Sequence, residues 1–295
     1  MPSLKQLRLR IRSVSSTKQI TKAMKMVAAA KLRRSQERAM AARPYSQRMG
    51  RMMRSVAALM SGQQNAPALL SGHGSDVKRV ELVVLTADRG LCGSFNSGVI
   101  RAVRGRIAEL QREGFTVTLT FIGRKGHDVL KRQFGSQVRK VHTSIAHRLA
   151  FHTIEREIAR ELIQAFEDRQ FDVCYLVYNT FKSAMSQVLT WQQIIPLSID
   201  QQDEEEQKSG SYFFEPDEEE LLSTLLPRNV AVQLFQALVE SDASEHGARM
   251  TAMDNAVRNA SEMIRKLRIK FNRTRQAAIT TELMEIIGGA ESLKG

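Results

Sequence analysis

The residues of this 295-residue chain that could do chemistry sit first of all in one loop, TADRGLCGSFNSG (86–98), between an apolar run, Val80 to Leu85, and a helical pattern. A strand–loop–helix of this kind cradles phosphate when its glycines let the backbone approach the ligand and a lysine follows. Here Gly90, Gly93 and Gly98 do not give G-x-G-x-x-G, and G-x-x-x-x-G-K-[ST] is absent from the chain. The glycines therefore read as turn residues. Asp88 and Arg89 have the types of an acid and an anion binder, but read more simply as a local ion pair shaping the turn. His142, His147 and His152 recur every five residues, a spacing that puts no two on one face of a helix or strand and so makes no metal set. The acidic runs Asp203 to Glu206 and Asp217 to Glu220 lack the alternation of a calcium loop. The first reads as a solvated loop. The second suits a helix N-terminus after Pro216, where acids favour the helix dipole. No nucleophile–base spacing stands out, so neither catalytic residues nor a cofactor or metal is expected.

Cys92 and Cys174 are too few for a disulfide framework and, lying in or beside expected strands, read as buried thiols of a reducing compartment. The apolar runs are far too short to span a membrane. The net charge of +13 is concentrated: residues 1–60 hold 15 Lys and Arg against one acid, Glu37. That segment should meet something negative. A basic nucleic-acid-binding helix or a scaffold is one reading. Against the nucleic-acid reading, the basic residues alternate with an apolar stripe along the whole helix, and no aromatic platform is interleaved.

All six prolines lie at 2, 44, 67, 196, 216 and 227, leaving 3–43 and 228–295 free for long helices. In the second stretch Met250, Met253, Val257, Ala260, Ile264, Leu267, Phe271, Thr274, Ala278 and Thr281 follow alternating steps of three and four, the seam of a coiled coil. Gly288 and Gly289 are expected to end it. In the first stretch Leu4, Leu7, Ile11 and Val14 keep the same spacing, and Ile20, Met24 and Val27 continue it after a shift of register near Thr17. The pattern resumes past Pro44, which either kinks the helix or is tolerated. The two stripes predict one antiparallel coiled coil. Between them, strands are expected at 80–85, 115–123, 171–179 and 187–197, with helices near 97–112, 126–134 and 148–168. This alternation predicts a mostly parallel sheet flanked by helices, Rossmann-like but not nucleotide-binding. Residues 62–76 and 198–211 read as linkers. The expected organisation is 1–60 N-terminal helix, 77–197 central α/β domain, 198–216 linker and foot, and 217–295 C-terminal helix.

Three long stretches carry a resemblance: SVSSTKQITKAMKMVAAAKLRRSQ (13–36), ADRGLCGSFN (87–96) and SEHGARMTAMDNAVRNASEMIRKLRIKFNRTRQAAITTELMEIIGGA (244–290). They resemble, in order and separation, the gamma subunits of F-type ATP synthases. The resemblance implies a non-catalytic central rotor in a proton-translocating complex on the cytoplasmic face of a bacterial inner membrane. Its implied partners are the alpha and beta subunits of the catalytic hexamer, epsilon and the c-ring, with no nucleic acid and no membrane insertion. It implies that Arg275 and Gln276 engage a beta subunit at a catch, with Thr280 and Glu282 beside them. Met24 would face the acidic lever loop of beta, with Lys18, Lys22 and Lys25 around it. Tyr212, Phe213, Phe214 and Glu215 would form the foot on the c-ring. The chain lacks the inserted dithiol of the plastid form, so redox gating is not expected.

Overall fold

The computed structural model describes residues 3–60, 67–74, 77–145, 149–197 and 218–292. Two helices dominate it: α1 (Leu4–Met60) and α7 (Glu218–Ser292), of 57 and 75 residues. The chain divides into two compact units. Residues Met1–Ala28 with Met250–Gly295 form one, and Ala29–Arg249 form the other.

The first unit is a pair of helices. The Arg8 guanidinium lies 5.7 Å from the centre of the Phe271 ring, and Lys25 forms an ion pair with Asp254. Residue numbers rise on one helix as they fall on the other, so the pair is antiparallel. In α7 the seam runs as the spacing predicts, with Met253 and Ala260 buried and Val257, Ile264, Leu267, Phe271, Thr274 and Ala278 half-buried. Thr281 departs from it and is exposed. With Arg8 beside Phe271 and α1 beginning at Leu4, α1 runs out near residue 275 of α7, and the helix continues without a partner among the described residues. Gly288 and Gly289 do not stop it: neither takes the positive φ of a helix-ending glycine, and the helix passes through both to Ser292.

The register shift expected near Thr17 is absent. Leu4, Leu7, Ile11, Val14, Lys18, Thr21, Lys25 and Ala28 are half-buried or buried, in unbroken steps of three and four, and of the shifted set Met24 alone is half-buried beside them. Ile20 and Val27 instead face out, 61% and 57% exposed. Hydrophobicity suggested a shift where geometry keeps the heptad and admits polar residues to the seam.

A single helix without a partner is marginal in water. Hydrogen exchange on the isolated chain should therefore show weak protection beyond about residue 272, against strong protection in the central strands. Equal protection in both would contradict this account.

The second unit is built on a five-stranded sheet, β1 (Arg79–Leu85), β2 (Thr116–Ile122), β3 (Val138–His142), β4 (Val173–Phe181) and β5 (Gln187–Ile195). The order is β3-β2-β1-β4-β5, with the first four strands parallel and β5 antiparallel to β4. One face packs under α3 (Phe95–Arg112) and α4 (Arg124–Phe134), through Leu82, Val84, Val103, Ile107 and Phe121. The other packs under the helical span 151–167, made of α5 (Phe151–Ile154), a five-residue π-helical step and α6 (Arg160–Glu167), and under Val230, Leu234 and Leu238 of α7. A short helix, α2 (Ala68–Ser71), lies in the segment expected as the first linker, and Leu69 O accepts a hydrogen bond from Leu197 N. Both cysteines are buried free thiols.

Strand β3 was not expected from VRKVH. Its polarity has a buried use: Arg139 pairs at 3.3 Å with Glu81, a fully buried carboxylate in β1 that also accepts hydrogen bonds from Thr118 and Thr120. A buried charge needs such partners. Pro44 and Pro227 both sit inside continuous helix, so Pro44 is tolerated and α7 begins well before the proline-free stretch. Glu218 to Glu220 open α7, and Asp203 to Glu206 and Asp217 lie outside the described residues.

Candidate functional site

A parallel sheet in the order β3-β2-β1-β4 has its switch point between β1 and β4, and open α/β sheets bind ligands in the crevice at the carboxyl ends of the strands there. In this chain the crevice is filled by α7. At the end of β4, Asn179 donates from Nδ2 to Phe95 O at 3.4 Å and its own carbonyl accepts from Ser244 Oγ at 2.8 Å. One turn on, Gly247 meets Phe181 and Ala184 so closely that an added Cβ would stand 3.2 Å from the Phe181 ring and 3.3 Å from the Ala184 backbone. Arg249 then reaches across to the loop after β1. Its Nη2 lies 3.4 Å from the carbonyls of both Arg89 and Gly90, and its Nη1 holds Glu245 at 2.6 Å. Burial pushes the Glu245 carboxyl up, and Arg249 pulls it back. The place where a nucleotide would lie is thus taken by the chain's own Ser244, Gly247 and Arg249.

The loop itself is tied inward. Asp88 does not pair with Arg89; its two oxygens accept the backbone N–H groups of Arg124 at 3.1 Å and Ser144 at 3.0 Å, clamping the loops after β2 and β3 to the loop after β1. The expected local ion pair is replaced because these amides sit at neighbouring strand ends, where a carboxylate satisfies both. Gly123 permits this approach: at φ 101° it rests on Thr86, where any Cβ would overlap the carbonyl oxygen. Cys92 is buried under the loop with Asn96 Nδ2 donating to its Sγ at 3.2 Å, and burial raises its thiol further than Arg249 lowers it. A raised pKa leaves it inert.

Beside the plug lies a cavity of about 260 Å³. Its acids are engaged by the chain: Asp88 as above, Asp242 by Ser35 and His246, Glu245 by Arg249. Lys31, Arg34, Arg38 and Arg89 line its rim as exposed cations. The sequence located the basic excess in residues 1–60, but only the fold shows which of those residues gather beside the loop.

In the helical pair, Arg275, Gln276, Thr280 and Glu282 are exposed, with Thr280 Oγ1 donating to Gln276 O at 2.9 Å. Lys18 and Met24 are half-buried on the seam side, and Lys22 is exposed. Lys25 is turned inward to Asp254, which Arg258 also holds. The foot residues Tyr212, Phe213, Phe214 and Glu215 lie outside the described residues, as does His147. His142 is 3.9 Å from Glu161, and burial lowers its pKa more than that carboxylate raises it. Among the described residues no group of His, Cys, Asp or Glu could hold a metal, and no helix is long and apolar enough to cross a membrane.

Residues 3–293 match the family model described as ATP synthase. The chain is 65% identical over 295 residues to the ATP synthase gamma chain of Magnetococcus marinus, covering all of both chains. It is 52% identical to that of Rhodospirillum rubrum, covering 99% of this chain and 100% of the other. Among solved structures it is similar to a chain of the central stalk and c-ring of the Tetrahymena thermophila mitochondrial ATP synthase. That match has a TM-score of 0.61 at 30% identity, over 80% of this chain and 99% of the other. It shares its fold, with a TM-score of 0.68 at 21% identity, with a chain of the Euglena gracilis mitochondrial ATP synthase, over 98% of this chain and 94% of the other.

Proposed function

The chain belongs to the ATP synthase gamma chain family, and from that premise we propose how it works as the rotor of the central stalk. It carries the rotation of a membrane ring into the catalytic hexamer and cycles three beta sites through different conformations, without contributing a group to phosphoryl transfer. The observation that carries this reading is the full-length identity to a gamma chain. The plugged crevice supports the non-catalytic part, because the fold's ligand site is spent on fastening α7 to the sheet.

The shaft's surface gives the partners their chemistry. Beyond residue 278 α7 exposes Ile279, Leu283, Met284, Ile286 and Ile287, all at least half exposed. Apolar side chains at this density on a lone helix call for an enclosing apolar collar, which we assign to the alpha and beta subunits. Arg275, Gln276, Thr280 and Glu282 contact beta at the catch. Met24, with the positive field of Lys18, Lys22 and Lys25, faces the acidic lever loop of beta, Lys25 acting at a distance because Asp254 holds it. The foot, Tyr212 to Glu215, rests on the c-ring, and epsilon binds the α/β unit. The organisation remains 1–60 and 217–295 as the shaft, 77–197 as the α/β domain and 198–216 as linker and foot. The assembly works at the cytoplasmic face of the bacterial inner membrane.

Co-purification tests this. A tag on this chain should bring down alpha, beta, epsilon and c subunits in a complex that hydrolyses ATP. Retention on DNA at moderate salt, without those subunits, would favour the nucleic-acid reading instead.

A further inference from the structure

The chain's single tryptophan, Trp191, lines a cleft of about 500 Å³ within the 29–249 unit, bounded by the sheet's edge strand β5 and by α1 and α7. The cleft carries no charged side chain among its described lining residues. It is rich in carboxamides whose hydrogen-bonding capacity is only partly used. Tyr178 O–H donates to Gln192 Oε1, and Gln192 Nε2 donates to Gln233 Oε1, which leaves the Gln233 amide N–H groups unspent among the described residues. Gln193 and Gln236 donate to Pro196 O and Glu240, and no described residue donates to their own oxygens. Asn229 is the decisive residue. It is 3% exposed, lines the cleft and makes no side-chain hydrogen bond to any described residue. Buried carboxamides are almost always paired, so one that opens only on a cleft marks a place where another polar group is meant to sit.

The geometry selects the ligand. Tyr175 pairs with Gln193 and Val177 with Trp191, so Tyr175, Trp191 and Gln193 project from one face of the sheet. Gln192, opposite Leu176, projects from the other. The cleft therefore straddles the outer edge of β5. Among the described residues, and apart from its ladder with β4, the β5 backbone takes part only in the bond from Thr190 Oγ1 to Val188 O. An edge of free N–H and C=O groups is a template for another strand. A peptide backbone offers alternating donors and acceptors without charge, which is what Asn229, Gln233, Gln193 and Gln236 can satisfy. A saccharide would use the aromatic faces and the carboxamides but leave the strand edge idle.

We infer that this cleft docks an extended, uncharged polypeptide strand of another subunit of the assembly, added to the outer edge of β5 and clamped by Asn229. The inference rests on the reading of the chain as one subunit of a larger complex. It is tested on that complex, purified with its subunit composition and ATP turnover verified, so that a failure to assemble is seen separately. p-Benzoylphenylalanine replaces Trp191 in one preparation and Val188, which is 39% exposed on the same strand, in a second. After irradiation, both positions should yield adducts to one contiguous segment of a different subunit. Asn229→Ala should lower the adduct yield at least about fivefold, the size of effect expected when a buried hydrogen bond to a partner is removed, while Trp191 emission of the isolated variant stays unchanged. Adducts confined to this chain or to a second copy of it, or no adducts from either position, would overturn the inference. So would a shift of Trp191 emission on adding maltose to the isolated chain, which would assign the cleft to a saccharide.

Discussion

Gly247→Leu should lower the stability of the 29–249 unit by about 3 kcal/mol, the upper end of what overpacking a tight contact costs. The position is in mid-helix, where a glycine is otherwise a liability of about 1 kcal/mol relative to alanine. It is kept because α7 presses so hard on the end of β4 that even a methyl group would stand 3.2 Å from the Phe181 ring and 3.3 Å from the Ala184 backbone. The backbone contact is the one that cannot yield. Leucine adds three further carbons there and must push the helix out of the crevice, loosening Ser244 from Asn179 and Arg249 from the loop after β1. Gly247→Ala is the internal control: its gain in helix propensity and its clash are of similar size, so its net effect should be small. Thermal unfolding of the isolated chain reads both. At roughly 2–4 °C per kcal/mol for a unit of this size, the leucine variant should melt about 9 °C lower. Equal melting points would mean that α7 does not plug the crevice.

The second expected result concerns turnover. Arg275→Ala or Gln276→Ala should leave assembly intact and lower steady-state ATP hydrolysis and synthesis by the complex about fivefold or more, equivalent to roughly 1 kcal/mol in activation free energy. Both residues are exposed, and both stand where α1 runs out, so neither has seam packing to lose. Substitution of such residues shifts stability by less than about 0.5 kcal/mol. A change in turnover would therefore report contacts that form with a partner and release as the shaft turns, for which the five donors of a guanidinium and the mixed donor and acceptor of a carboxamide are suited. Unchanged turnover in both variants, measured on complexes of verified composition, would reduce them to ordinary solvated positions.

Periodicity made the long helices legible because an apolar stripe is a geometric signal that survives without tertiary information. The ladder from Met253 to Ala278 is buried or half-buried as its spacing implies. The same signal misled at Ile20 and Val27. There the apolar residues face out while Lys18, Thr21 and Lys25 hold the seam, and hydrophobicity alone cannot tell a core stripe from a surface kept for a partner. Strand β3 was missed because its pattern is polar for a non-local reason, the buried carboxylate of Glu81 two strands away. The crevice was half legible. The absence of a phosphate fingerprint in 86–98 showed that the loop was not a nucleotide cradle, but nothing local announced that Ser244, Gly247 and Arg249, some 150 residues further on, would fill it. Asp88 was misread for the same reason, since its partners are backbone amides of two other loops.

The ion pair between Lys25 and Asp254 has a mechanical consequence. Two smooth apolar helices can creep along each other, since leucine packs on leucine nearly as well after a slip of one heptad. A rod that creeps stores twist poorly and loses the angle it was given. With Asp254 facing Lys25, a slip of seven residues that carries Lys25 toward Ser261 would part the charge from its counterpart and bring Lys18 beside Arg268. The polar stretch thus acts as a stop against creep in that sense, so that an angle imposed on one strand of the axle is carried by the other.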